Sequence, residues 1–473
     1  MHRPAPAQPA RSPGWTLFVV CLATGLLLLN VAAPNVALRD ISADLGATFG
    51  ESQLIISAYA LTLAALLLTG GTLADLHGRK RMFLAGLTIF AATSLAGALA
   101  TTPELLIASR AAQGVGAAVL LSSSLGLLAQ EFEGAARGRA LGVWGATVSG
   151  AFVIGPLGGG LLTEGFGWQG IFLADVVLAL PALWIARARL HESSDPGRAG
   201  VDWWGVATLS PALCALVFAL VQGNARGWDS PEIVGLFAFG ALMLAVFVAV
   251  ERGRAEPMLD LRLFRIPTFT GSVLVTMALA VSSFAPILYL SLYLLDVVGS
   301  SPPEAGLQLA PLAAVALVVS VLTGRVTGRL RLRETLAVGL ALCGIGLALM
   351  AGLRTDSSWT TLLPGMLVSG VGIGIANPFA TFATLGVVPT ARSGTAAGIN
   401  STFRQLGVAG GIAALGAILQ RHVARDEAAG APYAVAFTDA LNELLLIAAG
   451  LAIAGALVAM ALVRQRDLLV ASS

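Results

Sequence analysis

The chain has 473 residues, of which 56% are hydrophobic and only 11% charged, with a net charge of +2 and a mean hydropathy of +0.84. Soluble domains carry about 25% charged residues, so an ordinary soluble protein is excluded. A net charge this small, with no basic run interleaved with aromatics, also excludes a nucleic-acid binder.

In chain order, residues 1–14 form a polar, Pro-rich tail, and apolar runs follow at 15–37, 52–72, 81–101, 104–129, 139–162, 168–187, 203–222, 231–250, 268–295, 304–324, 335–353, 359–386, 394–419 and 438–463. Each is long enough to cross a hydrocarbon core of about 30 Å as a helix. Fourteen such runs predict an all-α polytopic membrane protein. The first run has no small-residue cleavage site close behind its apolar core, so it reads as a retained helix and not as a signal peptide. Cys21, Cys214 and Cys343 lie inside apolar runs, so neither a disulfide framework nor a metal site is expected.

The basic residues orient the spans. With fourteen spans, the side that holds both termini carries 21 Lys and Arg, among them Arg79, Lys80, Arg81, Arg137, Arg139, Arg325 and Arg333, and the opposite side has five. Positive charge concentrates on the cytoplasmic side, so both termini are expected there. The last two arginines, Arg110 and Arg404, fall inside apolar runs.

Between the second and third spans lies GTLADLHGRKR, residues 71–81. Ordinary topology accounts for Arg79, Lys80 and Arg81, but not for Gly71, Asp75 and Gly78. The glycines permit close approach of neighbouring helices, and Asp75 sits where a carboxylate pairs with a cytoplasmic Arg or faces a helix N-terminus. Such a cluster can latch the cytoplasmic side shut; a plain positive-inside loop is the alternative.

The same pattern recurs about 255 residues on. GTLADLHGRKRMFLAGL (71–87) aligns with GRVTGRLRLRETLAVGL (324–340), GVG at 114–116 with GVG at 370–372, and GRALG (138–142) with GTAAG (394–398). A repeat that keeps its membrane orientation matches spans 1–6 to spans 9–14, with spans 7 and 8 inserted. The expected divisions are an N-terminal six-helix bundle at 15–188, a linker with the inserted hairpin at 189–267, a C-terminal six-helix bundle at 268–463 and a tail at 464–473. Two such bundles rocking about a central cavity imply transport.

Taken together these motifs resemble the major facilitator superfamily and, within it, the fourteen-helix drug:proton antiporters. Gly71, Leu73, Asp75, Gly78, Arg79 and Lys80 fit the superfamily's pattern for the loop between helices 2 and 3, with Leu76 departing where Arg is usual. RAAQGVGAA (110–118) resembles the helix 4 motif and GPLGGG (155–160) the antiporter motif, carried by Gly155, Pro156, Gly159 and Gly160. EPMLDLRLFRIPTF (256–269) and GTAAGINSTFRQLG (394–407) resemble stretches typical of the fourteen-helix branch. The resemblance implies a latch that favours the outward-facing state. It also implies a plasma-membrane exporter of amphipathic small molecules, drugs or a secondary metabolite, by proton antiport with alternating access. The expected partners are protons, small substrates and the lipid bilayer, in a monomer with no cofactor beyond the proton motive force. An uncoupled facilitator or a dedicated metabolite exporter of the same fold is the alternative. An enzyme is not expected, since His2, His77, His191 and His422 lie in the tail or loops without a catalytic spacing.

Within the spans, Arg110 is expected to face the cavity, tuning a proton-carrying carboxylate, or else to snorkel to the outer headgroups. Gln113 shares its face. Pro156 removes a helix hydrogen bond while the glycines around it allow tight packing, giving a kinked but sealed helix. Asn400, Arg404 and Gln405 form a second polar stripe, lining the cavity or bonding between helices. Fourteen-helix antiporters typically have a carboxylate in the stretch resembling NVAAPNVAL (30–38), and Asn30 stands in its place, unable to titrate. The remaining acids are Asp175, Asp296, Asp439 and Glu443, of which Asp175 and Glu443 lead as proton carriers. In one reading Asn30 and Asp175 exchange roles; the plainer one makes Asp175 a solvent-exposed helix-end residue. Tyr59, Trp144, Phe284, Tyr289, Phe379 and Phe403 either contribute to an amphipathic cavity or pack against lipid and neighbouring helices.

Overall fold

The structure is a computed structural model that describes residues 13–193, 202–254, 259–326, 330–389 and 392–469. Its helices are α1 (Pro13–Val36), α2 (Leu38–Leu45), α3 (Phe49–His77), α4 (Arg79–Ala98), α5 (Pro103–Glu131), α6 (Gly134–Phe166), α7 (Gln169–Arg189), α8 (Trp203–Arg226), α9 (Pro231–Arg252), α10 (Pro267–Asp296), α11 (Pro302–Val326), α12 (Leu332–Met350), α13 (Leu363–Gly386), α14 (Ser393–Ala428) and α15 (Tyr433–Leu462). All but α2 are long, and thirteen of the long helices contain an apolar stretch sufficient to cross a membrane. The fourteenth, α6, has 33 residues and packs between α1 and α11.

Local chemistry sets the ends. Thr48 and Glu51 form a capping box at the start of α3. Thr102 caps α5 ahead of Pro103, and Ser230 caps α9 ahead of Pro231, each proline sitting where a missing N–H costs nothing. The short α2 was not expected, because it is polar and amphipathic. It turns Ile41 onto Ile55, Trp168 and Phe172 and stops at Gly46 in the left-handed region. At its C-terminal end α14 continues nine residues past the expected boundary at 419, where charged side chains replace apolar ones without breaking the helix.

The contacts repeat. α1 packs on α6 and α7, α3 on α5, and α4 on α5 and α7; correspondingly α10 packs on α14 and α15, α11 on α13, and α12 on α13 and α15. The result is two six-helix bundles with the α8–α9 hairpin laid through α8 against α3 and α14. The bundles meet along α3–α14 and α6–α11. Under the matching of the two halves these contacts exchange with one another, as a twofold axis along the membrane normal requires.

Candidate transport site

The loop expected between the second and third spans is a single residue. Gly78, at φ +101°, separates α3 from α4. A Cβ there would also fall 2.4 Å from a Glu192 carboxylate oxygen. Glu192 accepts from the backbone N–H groups of Lys80 at 3.0 Å and Arg81 at 3.1 Å, so it caps the start of α4. Lys80 Nζ donates to the Arg187 carbonyl at 2.8 Å, tying this corner to the end of α7.

Asp75, fully buried, faces the opposite bundle. Its Oδ1 accepts from Arg79 Nη2 at 2.9 Å and from the Gly394 N–H at 3.0 Å, and its Oδ2 accepts from the Thr395 N–H at 2.8 Å and Thr395 Oγ1 at 3.0 Å. Arg392, at the N-cap position of α14, makes no side-chain cap bond, and a carboxylate on α3 accepts from the first N–H groups of α14 and meets its positive dipole end. Beside it, a Cβ on Gly71 would lie 2.3 Å from the Gly394 carbonyl oxygen. At the related crossing, a Cβ on Gly324 would lie 2.8 Å from the Gly138 carbonyl oxygen and from Gly142 Cα. The glycines aligned by the internal repeat are thus the ones that let the bundles touch at these two crossings.

A buried polar cluster lies inside the N-terminal bundle. Asn30 Nδ2 on α1 donates to both Asp175 carboxylate oxygens at 2.7 Å, and Ser94 Oγ on α4 donates to Oδ2 at 3.2 Å. Gln113 Nε2 on α5 donates to Ser94 Oγ at 2.7 Å and Asn30 Oδ1 at 3.2 Å. Arg110 donates to Asn30 Oδ1, the Asn30 carbonyl, Gln113 Oε1 and the Ile55 carbonyl, with its guanidinium carbon 4.5 Å from the centre of the Tyr59 ring. Asp175 is therefore not an exposed helix-end residue, and Arg110 does not snorkel. All of Arg110's hydrogen-bond partners belong to α1, α3 and α5, so its head is enclosed within that bundle and does not stand in the space between the two.

The related place in the C-terminal bundle is uncharged. Ser369 precedes GVG as Gln113 does, and there Cys343 Sγ lies 3.7 Å from Ser369 Oγ and 3.4 Å from Ser283 Oγ. A separate network surrounds Asn400, whose Oδ1 accepts from Thr276 Oγ1 at 2.8 Å and Thr384 Oγ1 at 3.2 Å. One turn on, Arg404 reaches across to the other bundle, its guanidinium carbon 5.2 Å from the centre of the Trp144 ring. Trp144 in turn donates to Thr24 Oγ1 at 3.1 Å.

Other expected site residues fall elsewhere. Glu443 is half exposed on α15, 2.6 Å from His422 Nδ1, and belongs to a different bundle from Arg110 and Asp175. Tyr289 donates to the Ile412 carbonyl and fills the α10–α14 contact beside Gly416. Phe403 packs on Phe264 of the segment preceding α10, Phe379 is buried, and Phe284 and Gln405 are half-buried. Gly155, Pro156, Gly159 and Gly160 belong to the unbroken α6. A Cβ on Gly159 would press on Ala33 at 2.9 Å, so that motif serves the α1–α6 contact. Ser94, Thr276 and Thr384 were missed because isolated hydroxyls in apolar runs carry no pattern. Glu192 was missed because its role depends on a chain reversal of more than a hundred residues.

Two matched helical bundles with a polar interior, meeting at a glycine seal, define a helical membrane transporter. The Major Facilitator Superfamily model matches residues 20–412, and the chain belongs to that superfamily. It is similar to the multidrug resistance protein Stp of Mycobacterium tuberculosis, 32% identical over 85% of this chain and 76% of that protein. It is also similar to the cephamycin export protein CmcT of Amycolatopsis lactamdurans, 36% identical over 84% of this chain and 83% of that one. Among solved structures, the human organic anion transporter MFSD10 shares the fold with a TM-score of 0.67 over 96% of this chain and 100% of that one, at 16% identity.

Proposed function

We propose that this chain exports amphipathic small molecules across the plasma membrane by proton antiport, with Asp175 as the group that binds and releases the proton. The relatives named for multidrug resistance and for cephamycin export support the direction and the breadth of substrate. The observation that carries the coupling is the buried Asp175 carboxylate, held by Asn30, Ser94 and Gln113 with the Arg110 charge one residue removed. A carboxylate so enclosed changes the local balance of charge strongly when it gains or loses a proton. That change can bias a two-state protein between its access states.

In this reading the bundles at 15–188 and 268–463 rock against each other, the 189–267 segment is an insertion, and the protein works as a monomer with cytoplasmic termini. The Asp75–α14 contact favours the outward-facing state, which it supports by closing the cytoplasmic side. Purified protein in detergent is expected to release protons when an amphipathic dye binds, and Asp175→Asn is expected to abolish that release while dye binding persists. Undiminished release by Asp175→Asn defeats the assignment. The untitratable Asn30 favours a second reading, an uncoupled facilitator, which requires dye transport in proteoliposomes to be equal with and without a pH gradient.

A further inference from the structure

Arg404 is only 8% exposed, and its Nη1 has no hydrogen-bond partner among the described residues. Its Nη2 makes one long bond, to Ser401 Oγ at 3.3 Å. The sequence contains no Asp or Glu at 134–163, 268–295, 305–324 or 357–425, which cover the apolar parts of α6, α10, α11, α13 and α14. The buried acids of the N-terminal bundle among the described residues are Asp75, committed to Arg79, Gly394 and Thr395, and Asp175, committed to Asn30, Ser94 and Gln113.

Two further buried donors belong to the C-terminal bundle. Asn400, one turn from Arg404 on the same face of α14, uses its carbonyl for Thr276 and Thr384 and leaves Nδ2 without a partner among the described residues. Asn377 Nδ2 on α13 is likewise unpartnered, and the next residue, Pro378, borders Gly145, which follows Trp144. A buried cation that faces the other bundle, with two buried amide N–H groups on α13 and α14 that have no acceptor among the described residues, makes a set of donors in want of an acceptor. A buried charge is retained only where something compensates it in part of the cycle.

We infer that Arg404 docks an anionic group of the transported molecule, a carboxylate carried on an aromatic or similarly flat body that packs against Trp144, with Asn400 donating a second bond. This rests on the export reading above. The guanidinium fork matches a carboxylate through two parallel bonds, which neither a neutral amide nor an ammonium can reproduce. Because Arg404 belongs to one bundle and Trp144 to the other, the anion bridges the interface that opens and closes.

The test uses full-length protein in lipid nanodiscs and two fluorescent probes, anthracene-9-carboxylate and anthracene-9-carboxamide, which differ in charge but hardly in shape. Wild type is expected to bind the carboxylate about tenfold or more tightly than the amide, the scale of a lost charge-assisted pair. Arg404→Gln should erase that preference while amide binding stays within about twofold. Arg404→Lys, which keeps the charge and loses the fork, should give an intermediate preference and guards against a folding defect in the Gln variant. Equal or weaker carboxylate binding by wild type, no binding of either probe, or equal loss of both probes in the two variants overturns the inference. The same probes in proteoliposomes separate the two readings: carboxylate preference in binding without any export leaves the anion site standing and removes the export function.

Discussion

Asn30 Nδ2 lies 2.7 Å from both carboxylate oxygens of Asp175, a residue 145 positions later in the chain. Nearly equal distances to the two oxygens make one amide the shared donor of the carboxylate, so the pair acts as one unit. If the unit matters more than the helix that bears the acid, exchanging the partners should preserve coupling. Asp175→Asn alone is expected to abolish gradient-driven transport in proteoliposomes and leave substrate counterflow intact. The double variant Asn30→Asp with Asp175→Asn is expected to restore at least part of the gradient dependence. Failure of the exchange while the protein stays folded would show that the α7 position itself is required.

Arg110 donates to four acceptors on three helices, so its removal strips positive charge from beside Asp175 and leaves carbonyls unpaired. Breaking such a buried arrangement costs about 3–5 kcal/mol. Arg110→Ala is expected to lose coupled transport and to lower thermal stability, and Arg110→Lys to recover transport only partly, because an ammonium cannot reach Ile55, Asn30 and Gln113 at once. Near-normal transport by the Ala variant would remove Arg110 from the coupling mechanism.

Asp75 accepts two backbone N–H bonds at the start of α14, and charge-assisted bonds of this kind contribute about 1.5–3 kcal/mol each. Asp75→Asn keeps the shape and removes the charge. It is expected to shift the population toward the cytoplasm-open state by about tenfold for each 1.4 kcal/mol lost, and to reduce efflux while equilibrium binding changes little. Spin-label distances between the ends of α3 and α14 that meet at Asp75 measure the shift. An unchanged distance distribution with collapsed binding would refute the latch.

Glycine chemistry gives a separate test of the same seal. Gly71→Ala and Gly324→Ala each force a methyl group into backbone at 2.3 Å and 2.8 Å respectively, and overpacking of this kind costs about 1–3 kcal/mol. Both variants are expected to open the cytoplasmic side, seen as faster alkylation of a cysteine placed on α14 near Thr395. Gly450→Ala, where nothing lies within 4 Å of the added methyl, should behave as wild type.

Much of this molecule is local and therefore legible in its residues. Apolar runs must become helices because backbone polar groups have no water partners in lipid, so the long helices follow from composition along the chain, and the one-sided distribution of basic residues sets the orientation to be expected. The repeat could be read because Gly71, Gly138, Gly142, Gly324 and Gly394 recur in matched order. That these glycines face one another across two crossings is a fact of packing, and spacing alone does not contain it. Asn30 could be singled out as an untitratable group, but its joining to Asp175 depends on α1, α4, α5 and α7 converging, a long-range relationship that no periodicity encodes. The same holds for Arg404: a cation in an apolar run is visible in the sequence, whereas an Nη1 without a partner among the described residues and a reach to Trp144 on the other bundle exist only once the two halves are assembled.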